Sequence, residues 1–255
     1  MTPFYATVAR FYDAENRDKT DDLALYSQLA AEYGDPIIDI GCGTGRVMFH
    51  LAEAGYEIHG IDNEGAMLDR ARQRLAEKSH LQDKLTFYQG DVLQYDIPHR
   101  FKLVLVPYNG LMHFHEQDTQ IALLCRLRAL TDEGGLLVID LPNAGEAFAT
   151  EDSDALTLER TFVDPETGHL ILLQSTNYID RITQMMRVTW LYDEVTADGT
   201  VKRTYVPHLL RYYFYPELCL LLGQTGFTVE TVYGHPDGSP FEDGCERMIV
   251  LARPV

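Results

Sequence analysis

The sequence is poor in cysteine. Its 255 residues contain four cysteines, at positions 42, 125, 219 and 245, and they include no C-x-x-C pair. This wide spacing fits reduced thiols in a cytosolic protein better than a disulfide framework or a zinc site. We therefore expect no bound metal.

Long apolar segments are missing as well. No stretch approaches the roughly 18 uncharged apolar residues that a membrane span requires. The N-terminus also lacks a basic region followed by an apolar run. The expectation is a soluble, cytoplasmic protein without a membrane partner.

Positive charge is scarce, because 21 lysine and arginine residues stand against 39 aspartate and glutamate residues, for a formal net charge of -18. This balance opposes binding to nucleic acid, which is a polyanion, and favours a small-molecule or protein substrate. Hydrophobic residues make up 45% of the chain. That fraction suits one large α/β domain or a domain with an appendage.

The most informative stretch is a short apolar run that ends in three glycines. Residues 36–40 (PIIDI) predict a strand buried on both faces, and Gly41, Gly43 and Gly45 follow in a G-x-G-x-G pattern before an apolar helical pattern. Glycine permits a sharp turn and lets backbone N–H groups approach a ligand at the positive end of a helix. By itself the pattern is equally consistent with a nucleotide-like ligand and with a purely structural turn.

Two aspartates follow the next predicted strands. Asp62 ends the strand over residues 56–62, about twenty residues after the glycine turn, where a carboxylate can accept hydrogen bonds from ribose hydroxyls. A solvated carboxylate at a strand end is the alternative. Asp91 follows the strand over residues 85–88 and is suited to an adenine amino group, although an ordinary turn aspartate beside Gly90 has the same pattern.

Five β-α repeats predict a parallel sheet with right-handed crossovers, and its fourth and fifth strands cover residues 101–107 and 136–141. Four β segments joined by hairpin turns follow between residues 156 and 213. They predict an antiparallel insert of about sixty residues. A helix over residues 215–224 then leads to two last strands, of which one is antiparallel.

These motifs together resemble those of a known family. DIGCGTG at 39–45, GID at 60–62 with ML at 67–68, QGDV at 89–92 and GGLLV at 134–138 are similar to the ordered motifs of the class I S-adenosylmethionine-dependent methyltransferases. Arg211 before YPEL at 215–218 is similar to the C-terminal pattern of small-molecule members. The resemblance covers nearly the whole chain.

The expected fold is therefore α/β, with a seven-stranded, mostly parallel Rossmann-like sheet, helices on both faces and an antiparallel last strand. Residues 1–150 and 215–255 would form the core that binds S-adenosylmethionine. Residues 151–214 would form the antiparallel β insert, which in related enzymes covers the substrate pocket or makes a dimer interface. A homodimer through the insert is one expectation.

The resemblance implies that the chain binds S-adenosylmethionine and releases S-adenosylhomocysteine. The glycine turn would hold the methionine part, Asp62 the ribose, and Asp91 with the Val92 backbone the adenine ring, against which Met67 would pack. The implied cofactor-binding residues are Asp39, Gly41, Cys42, Gly43, Gly45, Arg46, Asp62, Asn63, Met67, Asp91, Val92 and Tyr108. Since the G-x-G-x-G spacing departs from the G-x-G-x-x-G dinucleotide fingerprint, a nicotinamide cofactor loses support.

Methyl transfer needs the lone pair of the acceptor held in line with the methyl group and, where required, a proton removed. In this family the loop after the fourth strand lies beside the methyl group, so the catalytic candidates there are Asn109 and His113. The pKa of an ordinary histidine suits proton transfer near neutral pH, and a histidine packed at a helix start is the alternative. Tyr12, the third catalytic candidate, matches a tyrosine that lies over the cofactor in related enzymes, or it packs between the first helix and the sheet.

The sequence argues against a nucleic-acid amino methyltransferase and against a metal site. The sequence PYN at 107–109 is not the Asp/Asn-Pro-Pro-Tyr motif of nucleic-acid amino methyltransferases. His113, His115, Glu116 and Asp118 bridge a loop and a helix start without regular ligand spacing, which favours a solvated helix entry over a metal site.

The insert supplies the candidate substrate-binding residues Tyr178, Arg181 and Arg211, although strand alternation does not show which of them face inward. The function expected from the sequence is methyl transfer from S-adenosylmethionine to nitrogen or oxygen of a small molecule. A non-catalytic protein that senses S-adenosylmethionine or S-adenosylhomocysteine is the alternative, and a dehydrogenase is a more distant one.

Overall fold

The structure is a computed structural model that describes residues 4–145 and 153–255. Its helices are α1 (Phe4–Glu15), α2 (Leu23–Tyr33), α3 (Arg46–Glu53), α4 (Gly65–Glu77), α5 (Gln117–Leu130) and α6 (Tyr215–Gln224). Its strands are β1 (Ile37–Ile40), β2 (Ile58–Asp62), β3 (Leu85–Gln89), β4 (Phe101–Val106), β5 (Thr131–Pro142), β6 (Ser153–Val163), β7 (Leu170–Asp180), β8 (Met185–Val195), β9 (Val201–Arg211), β10 (Phe227–Tyr233) and β11 (Arg247–Pro254). None of these helices is long and apolar enough to cross a membrane.

The large sheet has the strand order β10-β11-β5-β4-β1-β2-β3. β11 runs antiparallel to both of its neighbours, whereas β1 to β5 pair in parallel. The predicted fold class is therefore confirmed. Strands β6 to β9 form a second, antiparallel sheet, which is the expected insert. The predicted boundary between residues 150 and 151 lies outside the described residues, so the division into domains stays a prediction, as does a homodimer.

β1 lies at the centre of the large sheet, and all four of its residues are buried. Its alternating side chains serve two cores, since Ile38 and Ile40 pack with residues of α5 and α6, while Ile37 packs with residues of α2, α3 and α4. A strand covered on both faces must be apolar throughout, with the exception of a residue that the protein uses. Asp39 is that exception.

Helix α1 includes residues 11–13, where the sequence shows no clear helical period. The segment is helical because it buries Val8 and Phe11 against the insert, where Phe11 stacks on Tyr192 with ring centroids 4.9 Å apart. These contacts are tertiary, so they leave a weak local pattern. Asp22 occupies the N-cap of the next helix, α2.

Gly60 in β2 gives a stability test. A Cβ atom there would lie 2.2 Å from Met48 Sδ and 2.7 Å from Cys42 Sγ, and both side chains are buried. We expect Gly60→Ala to lower the free energy of unfolding by about 1–3 kcal/mol, as overpacking of cores does. Chemical denaturation measures this.

Gly223→Ala is the matched control, because a Cβ on this exposed residue of α6 meets nothing within 4 Å. It should leave stability unchanged or raise it by up to about 1 kcal/mol. Equal effects of the two substitutions would contradict the close approach of α3 to β2.

Candidate active site

A cavity of about 470 Å³ opens at the carboxyl ends of β1, β2 and β4, where the sequence predicted the site. Thirteen of the predicted residues line it: Tyr12, Asp39, Gly41, Cys42, Gly43, Arg46, Asp62, Asn63, Met67, Asp91, Val92, Tyr108 and His113. Tyr12 comes from α1, and the others come from four segments that parallel pairing brings to one edge of the sheet.

Gly45 and Asn109 lie outside the lining of the cavity. They set the backbone conformation of two segments that contribute to it. Gly45 has φ +83° and forms the N-cap of α3, so it sets the direction of the helix. Asn109 also has a left-handed backbone, and its side-chain oxygen accepts a 3.0 Å hydrogen bond from Arg247. The structure therefore does not support a catalytic role for Asn109, because its side chain is engaged in holding the loop.

The three predicted substrate residues also lie outside the lining. Arg211 is buried and pairs with Glu217 at 2.6 Å. Tyr178 is 58% exposed, and a guanidinium nitrogen of Arg181 lies 3.5 Å from the Ile179 carbonyl. The alternation of the strands did not show which face of the insert meets the cavity, and these assignments are not carried forward.

Asp62 holds the glycine turn in place. Its Oδ2 accepts a 2.8 Å hydrogen bond from the Gly43 N–H, and its Oδ1 accepts one of 2.8 Å from the Glu64 N–H. Gly43 has φ +55°, and a Cβ atom there would lie 3.2 Å from Met67 Cε. Burial raises the pKa of Asp62, while the backbone hydrogen bonds oppose that rise. Each carboxylate oxygen keeps a lone pair for a ligand hydroxyl.

Asp39 lies deeper, at the end of β1, and its Oδ1 has no hydrogen-bond partner among the described residues. Burial raises the pKa of Asp39 to about 7, although Arg46 opposes the shift. A buried acceptor without a partner is costly, and a cationic donor in the cavity would satisfy it.

Cations border the same end of the cavity. Arg46 binds both carboxylate oxygens of Asp22, at 2.5 and 2.6 Å. The Lys19 ammonium lies over the ring of Tyr108, and burial together with the cations Arg247 and Arg46 lowers the pKa of Lys19 to about 7. This end of the cavity therefore suits a group that carries both a positive and a negative charge, as the amino acid end of S-adenosylmethionine does.

The opposite part of the lining, which we call the aromatic side, consists of Phe4, Tyr5, His113, Phe114, Pro207 and His208. Tyr5 Oη lies 3.1 Å from His113 Nε2, and the rings of His113 and His208 are 5.2 Å apart. Phe4 stacks on His208 with ring centroids 3.9 Å apart. Helix α1, the turn after β4 and strand β9 thus meet at one place.

Both histidines of the aromatic side are uncharged at neutral pH. Burial, with a smaller contribution from His115, lowers the pKa of His113 to about 4. Burial, His113 and His115 lower the pKa of His208 to about 3. The expectation of an ordinary histidine pKa at position 113 was wrong, because the sequence does not reveal how completely α1 and the insert cover the ring.

Four residues at or beside the cavity were not predicted from the sequence, namely Phe4, Tyr5, Lys19 and His208. Phe4 and Tyr5 lie on a helix without a clear period, and His208 is far from the motifs along the chain. One signal was present, since Pro207 interrupts a strand pattern. Proline is tolerated in edge strands, and β9 is the edge of the insert sheet.

Comparisons with known proteins agree with this geometry. A methyltransferase domain family matches residues 37–135. The cypemycin N-terminal methyltransferase of a Streptomyces species is 26% identical over 218 residues, which are 86% of this chain and 82% of that protein. The domain match and this relative indicate a class I S-adenosylmethionine-dependent methyltransferase.

Two solved structures share the fold of this methyltransferase. An S-adenosylmethionine-dependent methyltransferase from Clostridium acetobutylicum has a TM-score of 0.80 at 15% identity, with 98% of each chain covered. An amino pentose methyltransferase from Micromonospora echinaspora, solved with S-adenosylmethionine bound, has a TM-score of 0.72 at 17% identity, with 96% of each chain covered. The methyltransferase domain match and the geometry of the glycine turn both support S-adenosylmethionine as the cofactor of this chain.

Gly43→Ala tests the glycine turn. Because φ is +55° and the new Cβ would press on Met67, we expect the dissociation constant of S-adenosylhomocysteine to rise at least tenfold in calorimetry. The control is Gly199→Ala, where φ is +83° but nothing lies within 4 Å of the new Cβ. If the two variants bound equally well, the turn would not be the binding site.

Asp39 predicts a pH dependence of cofactor binding. Its pKa is raised to about 7 without ligand, so the carboxyl is largely protonated below that pH, and a bound cationic amino group lowers its pKa. Binding of S-adenosylhomocysteine should therefore release a proton, and affinity should rise between about pH 5 and 7 and then level off. Calorimetry in buffers of different ionisation enthalpy measures the proton. Asp39→Asn should abolish its release, and an unchanged release would contradict the assignment.

Proposed function

We propose that this methyltransferase transfers the methyl group to a nitrogen atom of a small-molecule acceptor. The observation that carries the proposal is the uncharged imidazole of His113, which is hydrogen-bonded to Tyr5 where the aromatic side meets the rest of the cavity. A neutral imidazole has one donor and one acceptor nitrogen, so when Nε2–H donates to Tyr5 Oη, Nδ1 is the acceptor that remains. It can hold an amine N–H and so direct the nitrogen lone pair.

Bound S-adenosylmethionine supplies an electrophilic methyl group, so that the N–C bond forms as the S–C bond breaks and the electron pair of the S–C bond stays on sulfur. Asp39, Asp62 and the Gly41–Gly45 turn would hold it. Tyr12 and His113 would close the cavity over the reacting atoms and exclude water. The contribution of the chain is mainly orientation, which is worth a large part of the barrier in such displacements.

The weak basicity of His113 favours nitrogen over oxygen as the methyl acceptor. A hydroxyl acceptor must lose its proton as it attacks, and an imidazole with a pKa of about 4 is a weak base for that step. A neutral amine already has a lone pair and can lose its proton after the transfer. The related cypemycin enzyme is named for N-terminal methylation, and the structural relative from Micromonospora echinaspora for an amino pentose, so both names are consistent with amine acceptors.

A substitution of His113 tests the proposal. We expect His113→Ala to lower kcat about 100-fold with an amine acceptor, because the lone pair loses its orientation. The affinity for S-adenosylhomocysteine should change less than about twofold, since His113 does not belong to the glycine turn.

Because burial lowers the pKa of His113 to about 4, the kcat of the unmodified enzyme should stay flat from about pH 8 to 6 and fall only as the ring becomes protonated.

The assay follows S-adenosylhomocysteine release with a panel of amines and phenols. His80→Ala, which changes an exposed histidine outside the cavity, is the control. Unchanged turnover in His113→Ala would refute the role of the imidazole, and turnover of phenols in preference to amines would refute nitrogen as the acceptor. Tight cofactor binding without turnover of any compound would favour the sensor protein.

A further inference from the structure

The charges of the cavity are divided between its two parts. The carboxylates of the described lining are Asp39, Asp62, Glu64 and Asp91, and all four follow or end the strands β1, β2 and β3. Arg46 lies on the same part. The aromatic side, as far as the structure describes it, has neither a carboxylate nor a cation at neutral pH.

The polar side chains of the aromatic side contact one another through a hydrogen bond and ring packing. Tyr5 Oη and His113 Nε2 share a hydrogen bond, and the rings of Tyr5, His113 and His208 lie within 6 Å of one another. Burial raises the pKa of Tyr5 and lowers the pKa values of both histidines, so all three are neutral. A cation placed here would lose its water and would have no carboxylate among the residues of the aromatic side to pair with.

The nearest charged groups do not change this. Asp62 acts on Tyr5 and Tyr12 through space, but its oxygens accept the backbone N–H groups of the glycine turn and of α4. Glu15 of α1 accepts a 2.8 Å hydrogen bond from Tyr192 Oη and lies outside the lining. His115 hydrogen-bonds the Leu209 carbonyl at 3.0 Å, which fixes β9 to the turn.

We propose that the aromatic side binds a weakly basic amine in its uncharged form, on an acceptor molecule that has neither a carboxylate nor a phosphate near the amine. This inference rests on the proposed function and names the substrate class of the same site. The acceptor must present a lone pair, and the described residues of the aromatic side include no carboxylate to pair with an ammonium ion and no cation to pair with an anion.

The preference is large. An alkyl amine with a pKa of about 10.4 is neutral in about one molecule in 2500 at pH 7, whereas an α-amino group with a pKa of about 8 is neutral in about one in ten. A site that accepts only the neutral form therefore selects the weaker base by more than about 100-fold at equal contacts. Aromatic amines, which are weaker bases still, bind without this penalty.

The test measures binding to the full chain saturated with S-adenosylhomocysteine, so that turnover is not required. The probes are para-ethylaniline and phenethylamine, which are isomers of similar shape and differ in basicity. We expect para-ethylaniline to bind in the millimolar range or tighter, with an affinity that is constant from pH 6.5 to 8.5. The affinity for phenethylamine should rise about tenfold per pH unit over the same range, because only its neutral fraction binds.

A pair of variants locates the effect in the cavity. His208→Asp introduces a carboxylate into the aromatic side and should make phenethylamine bind more tightly at pH 7 than it does to the unmodified protein. His208→Asn is matched in size and stays neutral, so it should keep the original order of affinities. Circular dichroism and S-adenosylhomocysteine binding show that each variant is folded.

The outcomes are distinct. Binding of phenethylamine that is as tight as that of para-ethylaniline at pH 6.5, or no binding of para-ethylaniline in the millimolar range, overturns the inference and leaves the proposed function standing. Loss of S-adenosylhomocysteine binding by the unmodified protein would instead remove the proposed function. Tighter binding of para-ethylaniline, the weaker base, together with a gain in phenethylamine affinity in His208→Asp but not in His208→Asn, supports the inference.

Discussion

The site depends on the carboxylate of Asp62. It accepts the N–H groups of Gly43 and Glu64, while the Ile61 carbonyl accepts those of Gly41 and Cys42. The end of β2 therefore fixes the turn that leaves β1. Hydrogen bonds to a charged group contribute about 1.5–3 kcal/mol each, which is enough to hold three glycines in left-handed backbone conformations. A ligand meets a turn that is already formed.

The other side of the cavity is assembled from segments that are distant along the chain. Helix α1 is held to the insert by Phe11 on Tyr192 and by Arg10, which binds both Asp164 and Glu194. These contacts lie far from the reacting atoms, but they bring Tyr5 against His113. The insert thus acts on the site in two ways, because β9 supplies His208 directly and the rest of the insert positions α1.

Burial then decides the chemistry of each part. Asp39 gains a raised pKa and an unsatisfied oxygen, whereas His113 and His208 lose their charge. The same desolvation favours a charged cofactor end where counter-charges exist and an uncharged acceptor where none do. Under the proposed function, the methyltransferase would separate recognition of its two substrates by polarity within one cavity.

The sequence by itself determined the fold class, the strand-turn-helix at residues 37–53 and the strand-end positions of Asp62 and Asp91, because glycines and strand-end aspartates act within local, regularly spaced units. The resemblance to a known family implied the cofactor and the place of His113 at the cavity. Only the tertiary structure decided that α1 is a helix, that His208 rather than Arg211 faces the cavity, and that His113 is neutral. Those facts depend on contacts between residues up to about two hundred positions apart and on the exclusion of water by these contacts. Local sequence patterns reveal neither of them.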